Sequence, residues 1–251
     1  MVQVKWYGVN SLEFKHNSGS FMIDPYVSRS KELLTIPSEV DKYLNSTPDF
    51  VLMTHAHWDH LPDMPQLIRK TDTVLYASKT ACNIMRALGV PEKNLHELAY
   101  GEKLSFHGVT VTALESRHMG VYNPADIYTA IPSDADFNTA AAWRCGEVFA
   151  FLLEFEDMTV LNIGSANLHE PSMGGIECDY LIGGISRYKE GFPELLMRNI
   201  KFKTLIPTHH DEFLLPLDKF HLRNDLERLH GEIPGLKSQQ LNVLEWTTLQ
   251  V

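Results

Sequence analysis

Thr54-His55-Ala56-His57-Trp58-Asp59-His60 places three imidazoles and one carboxylate within six residues. Imidazole nitrogen and carboxylate oxygen are the donors that zinc takes, and sites that keep an open position are the catalytic ones. On an extended segment His55 and His57, two apart, point the same way. Asp59 and His60 follow where the backbone must turn, which lets them face a second centre nearby. A polar loop with surface histidines would not need so dense a set behind a buried strand.

The elements that must position this set are legible in outline. Phe50-Val51-Leu52-Met53 is a continuous apolar run, which suits a buried strand that delivers its C-terminal loop to a site. Val2, Val4 and Trp6 alternate with polar neighbours, as do Leu12 and Phe14, and both stretches read as short strands. Asn17-Ser18-Gly19 supplies a tight turn into a third strand from Ser20 to Asp24, which Pro25 stops. Ser78 caps a predicted helix to about Leu88, ended by Gly89 and Pro91. Residues 102–114 alternate around Gly108 as a hairpin. From His118 to Gly146 the chain is long and irregular, interrupted by Pro124 and Pro132, and reads as a loop or lid holding a short helix at Ala140-Ala141-Ala142. Strands are predicted at 148–155, 158–163, 179–183 and 204–206, a helix over 218–230 capped by Asp218, and a last strand near 241–246. Hairpins, buried strands and helices mix in both halves, which predicts an α/β sandwich with helices outside two packed sheets.

Composition narrows the function classes. The 251 residues show no repeat, charge block or Gly/Ser linker, so one domain over 1–251 is expected. Apolar residues make up 44% and charged residues 22%, which excludes disordered and collagen-like chains. Lys plus Arg total 22 against 32 Asp plus Glu, a net charge of −10. Such a surface repels phosphate backbones, so neither a nucleic acid nor a membrane is expected as partner; a small-molecule substrate is. Cys82, Cys145 and Cys178 are odd in number and widely spaced, so a disulfide framework is not expected and a reducing compartment is. With no signal-peptide pattern at the start of the sequence, the expected location is cytoplasmic.

The string His55-x-His57-x-Asp59-His60 resembles the signature of the metallo-β-lactamase superfamily. That resemblance implies a four-layer αβ/βα sandwich with a metal site, often dinuclear, at one edge of the two sheets. It extends to Asp24 at an early strand end in Phe21-Met22-Ile23-Asp24-Pro25, to His118 in Glu115-Ser116-Arg117-His118, and to His209 in Ile206-Pro207-Thr208-His209. The opening, Trp6-Tyr7-Gly8 followed by Ile23-Asp24-Pro25, is most similar to the branch of small metal-dependent hydrolases that includes ascorbate-6-phosphate lactonase. By this resemblance His55, His57 and His118 hold one metal, and Asp59, His60 and His209 the other. Asp24 would orient a ligand or loop, as a ligating histidine needs its other ring N–H fixed by an acceptor.

One position departs from the family pattern. Many members carry a metal-bridging Asp after a strand-end glycine, whereas Val160-Leu161-Asn162-Ile163-Gly164 leads here to Ser165. The expected cofactor is therefore one or two divalent metals, zinc first, with manganese and iron also accommodated. Adjacent His209 and His210 cannot both point inward from a regular strand end; His209 is the expected ligand, and His210 or Asp211 lines or supports the site. Ser165 either touches a metal-bound water or serves as a turn residue. Arg144, beside Tyr122, Tyr128 and Trp143 in the long segment, either pairs with an anionic substrate or forms a surface ion pair. Cys145 reads either as a reactive thiol or, as free cysteine more often is, as a small buried residue. His16, His96, His107, His221 and His230 are expected to be structural or on the surface, and His169 and Glu170 to start a helix.

A chain with these ligands would ionise water for attack on a small ester, lactone or amide, phosphorylated or not. Asp59 would both ligate and orient the nucleophile. The alternatives are a phosphodiesterase, a non-haem iron redox enzyme using Asp59, His60 and His209, and a non-catalytic metal-binding module.

Overall fold

The computed structural model describes residues 1–16, 19–29, 39–120, 127, 128 and 130–250. The Asn17-Ser18 part of the expected turn, and Tyr122 and Pro124 of the long segment, lie outside them.

The alternation of Val2, Val4 and Trp6 becomes β1 (Val2–Trp6), paired antiparallel with β2 (Leu12–His16), which pairs antiparallel with β3 (Gly19–Ile23). Parallel strands continue the sheet: β4 (Phe50–Leu52), β5 (Val74–Ala77) and β6 (Leu95–Glu97). Helix α1 (Val40–Tyr43) precedes β4. The crossovers to β5 and β6 carry α2 (Met64–Thr71) and α3 (Lys79–Ala87). Ser78 caps α3 as expected, its hydroxyl accepting the Ala81 N–H at 3.1 Å.

The second half repeats this plan. The hairpin of β7 (Lys103–Phe106) and β8 (Val109–Glu115) is followed by β9 (Phe149–Glu154) and β10 (Thr159–Asn162), all antiparallel. Then come α4 (Glu170–Met173), parallel β11 (Ile176–Gly184), α5 (Phe192–Asn199) and parallel β12 (Ile200–Thr208). Helix α6 (Asp225–Glu232) follows, and β13 (Trp246–Leu249) returns to pair with β1. Among the described residues the sheets run β13-β1-β2-β3-β4-β5-β6 and β12-β11-β10-β9-β8-β7.

Three apolar clusters define four layers. Val4, Trp6, Phe14 and Phe21 of one sheet meet Val111, Phe151, Val160 and Ile206 of the other. Val51, Met53 and Leu75 pack outward on Leu67, Ile68, Ala81 and Ile84 of α2 and α3. Leu161, Leu181 and Leu205 pack on Met173, Leu196 and Leu229 of α4, α5 and α6. Each large side chain removed from water contributes roughly 1.5–3 kcal/mol before entropy is counted. The αβ/βα sandwich expected from the sequence is the fold observed.

Strands β11 and β12 run longer than the expected 179–183 and 204–206, and two C-terminal elements moved. The C-terminal helix begins at Asp225 rather than Asp218, because Leu217–Lys219 forms a separate 3-10 turn. Leu222 bridges Asp211 instead of joining the helix. The final strand sits at Trp246–Leu249 rather than near 241–246; Val243 makes only a single bridge to Trp6. Both misreadings took an apolar periodicity for a regular element where the chain turns to close a sheet edge. Among the described residues no helix is long and apolar enough to cross a membrane.

Candidate metal centre

The histidine-rich segment begins where β4 ends, at the same edge as the ends of β3, β8, β10 and β12. Asp24 follows β3, His118 lies beyond β8, Ser165 beyond β10 and His209 directly after β12. Asp24 and His209 both adopt left-handed backbone conformations, with φ of 45° and 55°. For a histidine this is strained, and such strain clusters at functional sites. Main-chain bonds hold both turns: Asp24 N–H to Leu52 O at 3.0 Å and His209 N–H to Val9 O at 2.8 Å.

The five histidines expected as ligands converge. Ring centroids lie 4.8 Å apart for His55 and His57, 4.9 Å for His55 and His118, and 4.6 Å for His57 and His118. His60 is 4.0 Å from His55 and 5.6 Å from His209. Ligand atoms of Asp59, His60 and His209 all fall within 4.8 Å of one another. The same limit encloses a second trio, His55, His57 and Cys145. The sequence offers Cys145 only as a reactive or a buried thiol, since a lone cysteine ahead of a strand gives no signal of what lies across from it.

Hydrogen bonds fix which ring nitrogens face inward. Asp24 is fully buried and accepts from Thr54 N–H at 2.7 Å, from the Thr54 hydroxyl at 2.5 Å and from Asn10 Nδ2 at 2.7 Å. Its Oδ2 is also 2.8 Å from His60 Nδ1, so that nitrogen carries the proton. Because the Thr54 hydroxyl is spent on Asp24, it must accept from His55 Nδ1, 3.0 Å away. One carboxylate thus sets two tautomers, and His55 Nε2 and His60 Nε2 are left as lone-pair donors. Both are buried without a hydrogen-bond partner among the described residues. Orphaned, inward-facing nitrogens of this kind are what a cation would satisfy, and the donor set fits a divalent metal.

Electrostatics favour the neutral ring at His55 and His118. Burial, then the charges of neighbouring imidazoles, holds His55 well below the usual histidine range and His118 down to about 3. For His60 burial also favours the neutral ring, but Asp24 and Asp59 outweigh it and raise its pKa. Burial pushes Asp59 upward, yet His60 and His209 win and keep it ionised, below the usual carboxylate range. His209 Nε2 stands 3.1 Å from Asp59 Oδ2.

The supporting residues divide. His210 turns its ring onto Trp6, 5.5 Å away, and its Nε2 meets Gln240 at 2.8 Å, so it faces the space between the sheets rather than the imidazole cluster. Asp211 is buried in an ion pair with Arg29 at 2.6 Å and accepts Val9 N–H at 3.0 Å, bracing the loop that holds His209. Ser165 accepts the Met119 N–H at 3.1 Å and so fixes the chain next to His118. Arg144 lies half-buried with its guanidinium 4.5 Å over the Tyr128 ring. Beneath the centre Asn10 joins both sheets, pairing with Asn162 at 3.1 Å and accepting the Thr208 hydroxyl at 3.2 Å. Asn10 and Thr54 were not singled out in the sequence, since an Asn in a turn and a Thr after a strand are ordinary there.

The match to known proteins covers the same ground. The beta-lactamase superfamily domain model matches residues 20–144, which hold Asp24, the histidine string and His118. The chain belongs to the metallo-β-lactamase superfamily. A curated relative, the UPF0173 metal-dependent hydrolase of Chelativorans sp. (strain BNC1), is 24% identical over 228 residues, covering 84% of this chain and 86% of that protein. Igni18, a metallo hydrolase from the archaeon Ignicoccus hospitalis, superposes with a TM-score of 0.64 at 15% identity, over 100% of this chain and 99% of that one. Isothiocyanate hydrolase from Delia radicum gut bacteria does so at 0.61 and 15%, over 98% of each chain. These structural likenesses share the αβ/βα fold.

Proposed function

We propose that this member of the superfamily is a metal-dependent hydrolase of a small ester, lactone or amide, which can carry a phosphate. The observation that carries the reading is the pair of orphaned Nε2 atoms on His55 and His60, each fixed by a bond from its own Nδ1 and each aimed into a cluster of ligand atoms. The naming of its curated relatives as metal-dependent hydrolases supports it.

In this reading His55, His57 and His118 hold one cation, and Asp59, His60 and His209 a second. A bound divalent cation, zinc first, supplies Lewis acidity that lowers the pKa of water and polarises a carbonyl. Asp59, ionised by its neighbours, orients the attacking water through a carboxylate oxygen. Asp24 and Thr54 keep Nε2 of His55 and His60 turned inward throughout. Arg144, on the long segment, pairs with an anionic group of the substrate. With a net charge of −10, the partner is a small molecule rather than a nucleic acid or membrane. Buried cysteine thiols fit a reducing, cytoplasmic setting. A phosphorylated lactone is the first substrate to try.

The trio of two histidines and one carboxylate, Asp59, His60 and His209, favours one second reading, a non-haem iron centre with redox chemistry. Elemental analysis of protein purified without added metal, followed by a panel of lactones, phosphodiesters and β-lactams, tests both. Zinc or manganese with lactone turnover supports the hydrolase. Coloured, iron-loaded protein inert on the panel supports the alternative, and protein that binds no metal overturns both.

A further inference from the structure

Cys145 was unremarkable in the sequence, yet the fold places it opposite the histidine string. Two main-chain bonds clamp its segment there: Ala56 N–H donates to Cys145 O at 2.9 Å, and Phe149 N–H to Thr54 O at 2.8 Å. Gly146 lets the chain make this approach. Its φ is +71°, and a Cβ there would sit 2.5 Å from Thr80 Cβ. The residue before it is therefore set by backbone geometry on both sides.

The Cys145 sulfur lies within 4.8 Å of ligand nitrogens of His55 and His57, which lie as close to each other. Tetrahedral zinc, with bonds of about 2.0–2.3 Å, spaces its donors roughly 3.3–3.8 Å apart, so a small approach closes the set. Independently, His55 is 1% exposed and its Nε2 has no partner among the described residues, although its other nitrogen is fixed. Where a bridging carboxylate is expected from the family pattern, Ser165 instead spends its hydroxyl on Met119 N–H. The centre therefore lacks one anionic ligand and has a thiol at the other trio.

We infer that Cys145 is a metal ligand, supplying a thiolate beside His55 and His57 and replacing the missing bridging carboxylate as the second anionic ligand of the centre. The sulfur–metal bond forms as the S–H proton leaves to solvent, so no oxidant or reductant takes part. A soft sulfur donor biases this position towards zinc over manganese or magnesium. The inference rests on the metal-centre reading above but is separable from it.

Cobalt(II) added to the metal-stripped full-length protein provides the test. Wild-type protein is expected to show a near-ultraviolet sulfur-to-cobalt charge-transfer band. Cys145→Ser removes the band and weakens cobalt binding at least about tenfold in chelator competition, whereas Cys82→Ser and Cys178→Ser retain both. Cobalt bound by the wild type without a sulfur band overturns this inference alone, whether or not Cys145→Ser folds. A band that survives in Cys145→Ser does the same. Failure to bind cobalt at all overturns it together with the metal-centre reading.

Discussion

Asp24 Oδ2 stands 2.8 Å from His60 Nδ1, and the same oxygen accepts the Thr54 hydroxyl that in turn holds His55. A single buried carboxylate therefore determines how two histidines from one string present themselves. Asp24→Asn keeps the side-chain shape and tolerates the left-handed backbone. Its amide, however, cannot accept all of these bonds. Metal affinity and turnover are expected to fall about 10- to 100-fold, measured by chelator competition and by kcat/KM. Unchanged affinity would show that the tautomers are set elsewhere.

Asp59→Asn separates chemistry from folding. The carboxylate touches His209 and lies 3.9 Å from His60 Nε2, at the mouth of the cluster rather than in an apolar layer. Loss of its charge is expected to cut kcat/KM about a thousandfold, as removal of a transition-state electrostatic contact does. The unfolding midpoint should shift by only a few degrees. Losses of similar free energy in rate and stability would contradict the assigned role.

The metal-free protein is expected to weaken in acid. His55 is held well below the usual histidine range and His118 is pushed down to about 3, by burial first and neighbouring imidazoles second. Between about pH 3 and 6.5 the unfolded chain then binds a proton that folded His118 refuses, and His55 acts in the same direction. Stability falls as pH drops through that window, with a slope of up to ~1.4 kcal/mol per pH unit for each proton. Denaturant melts of stripped protein from pH 7 to 4 measure it, and His118→Gln should flatten the curve. A stability independent of pH would mean the rings are solvated.

Gly164 is where packing and the centre meet. Its φ is +66°, and a Cβ there would lie 2.8 Å from Thr54 Cγ2. Gly164→Ala combines left-handed strain with a displaced Thr54, at a cost of about 2 kcal/mol or more. In a chain of this size that lowers the melting temperature by roughly 4–8 °C. Metal content should fall too, since Thr54 orients His55. A variant that loses stability but keeps full metal loading would show that Thr54 has room to move.

The string His55 to His60, the strand that carries it and the sandwich class were legible because each has a local cause: clustered donors, a continuous apolar run and mixed periodicities. Ser78 as a cap and the hairpin at 103–115 were legible for the same reason. Helices α2 and α5 and strands β5 and β6 were not singled out. They are short, and their apolar faces make sense only against the sheets they cover. The shared plan of the two halves left no repeat in the sequence, because strand pairing constrains burial and direction but not residue identity.

By itself, then, the sequence determined that imidazoles and carboxylates of metal-binding type follow a buried strand. Only the tertiary structure decided which atoms face one another. It turned His210 away onto Trp6, committed Asp211 to Arg29, gave Asn10 and Thr54 to Asp24, and brought Cys145 across from His55. The physical reason is range. Donor type and local turns are properties of a few consecutive residues, whereas hydrogen bonds such as the 3.1 Å pairing of Asn10 and Asn162 exist only after two sheets have packed.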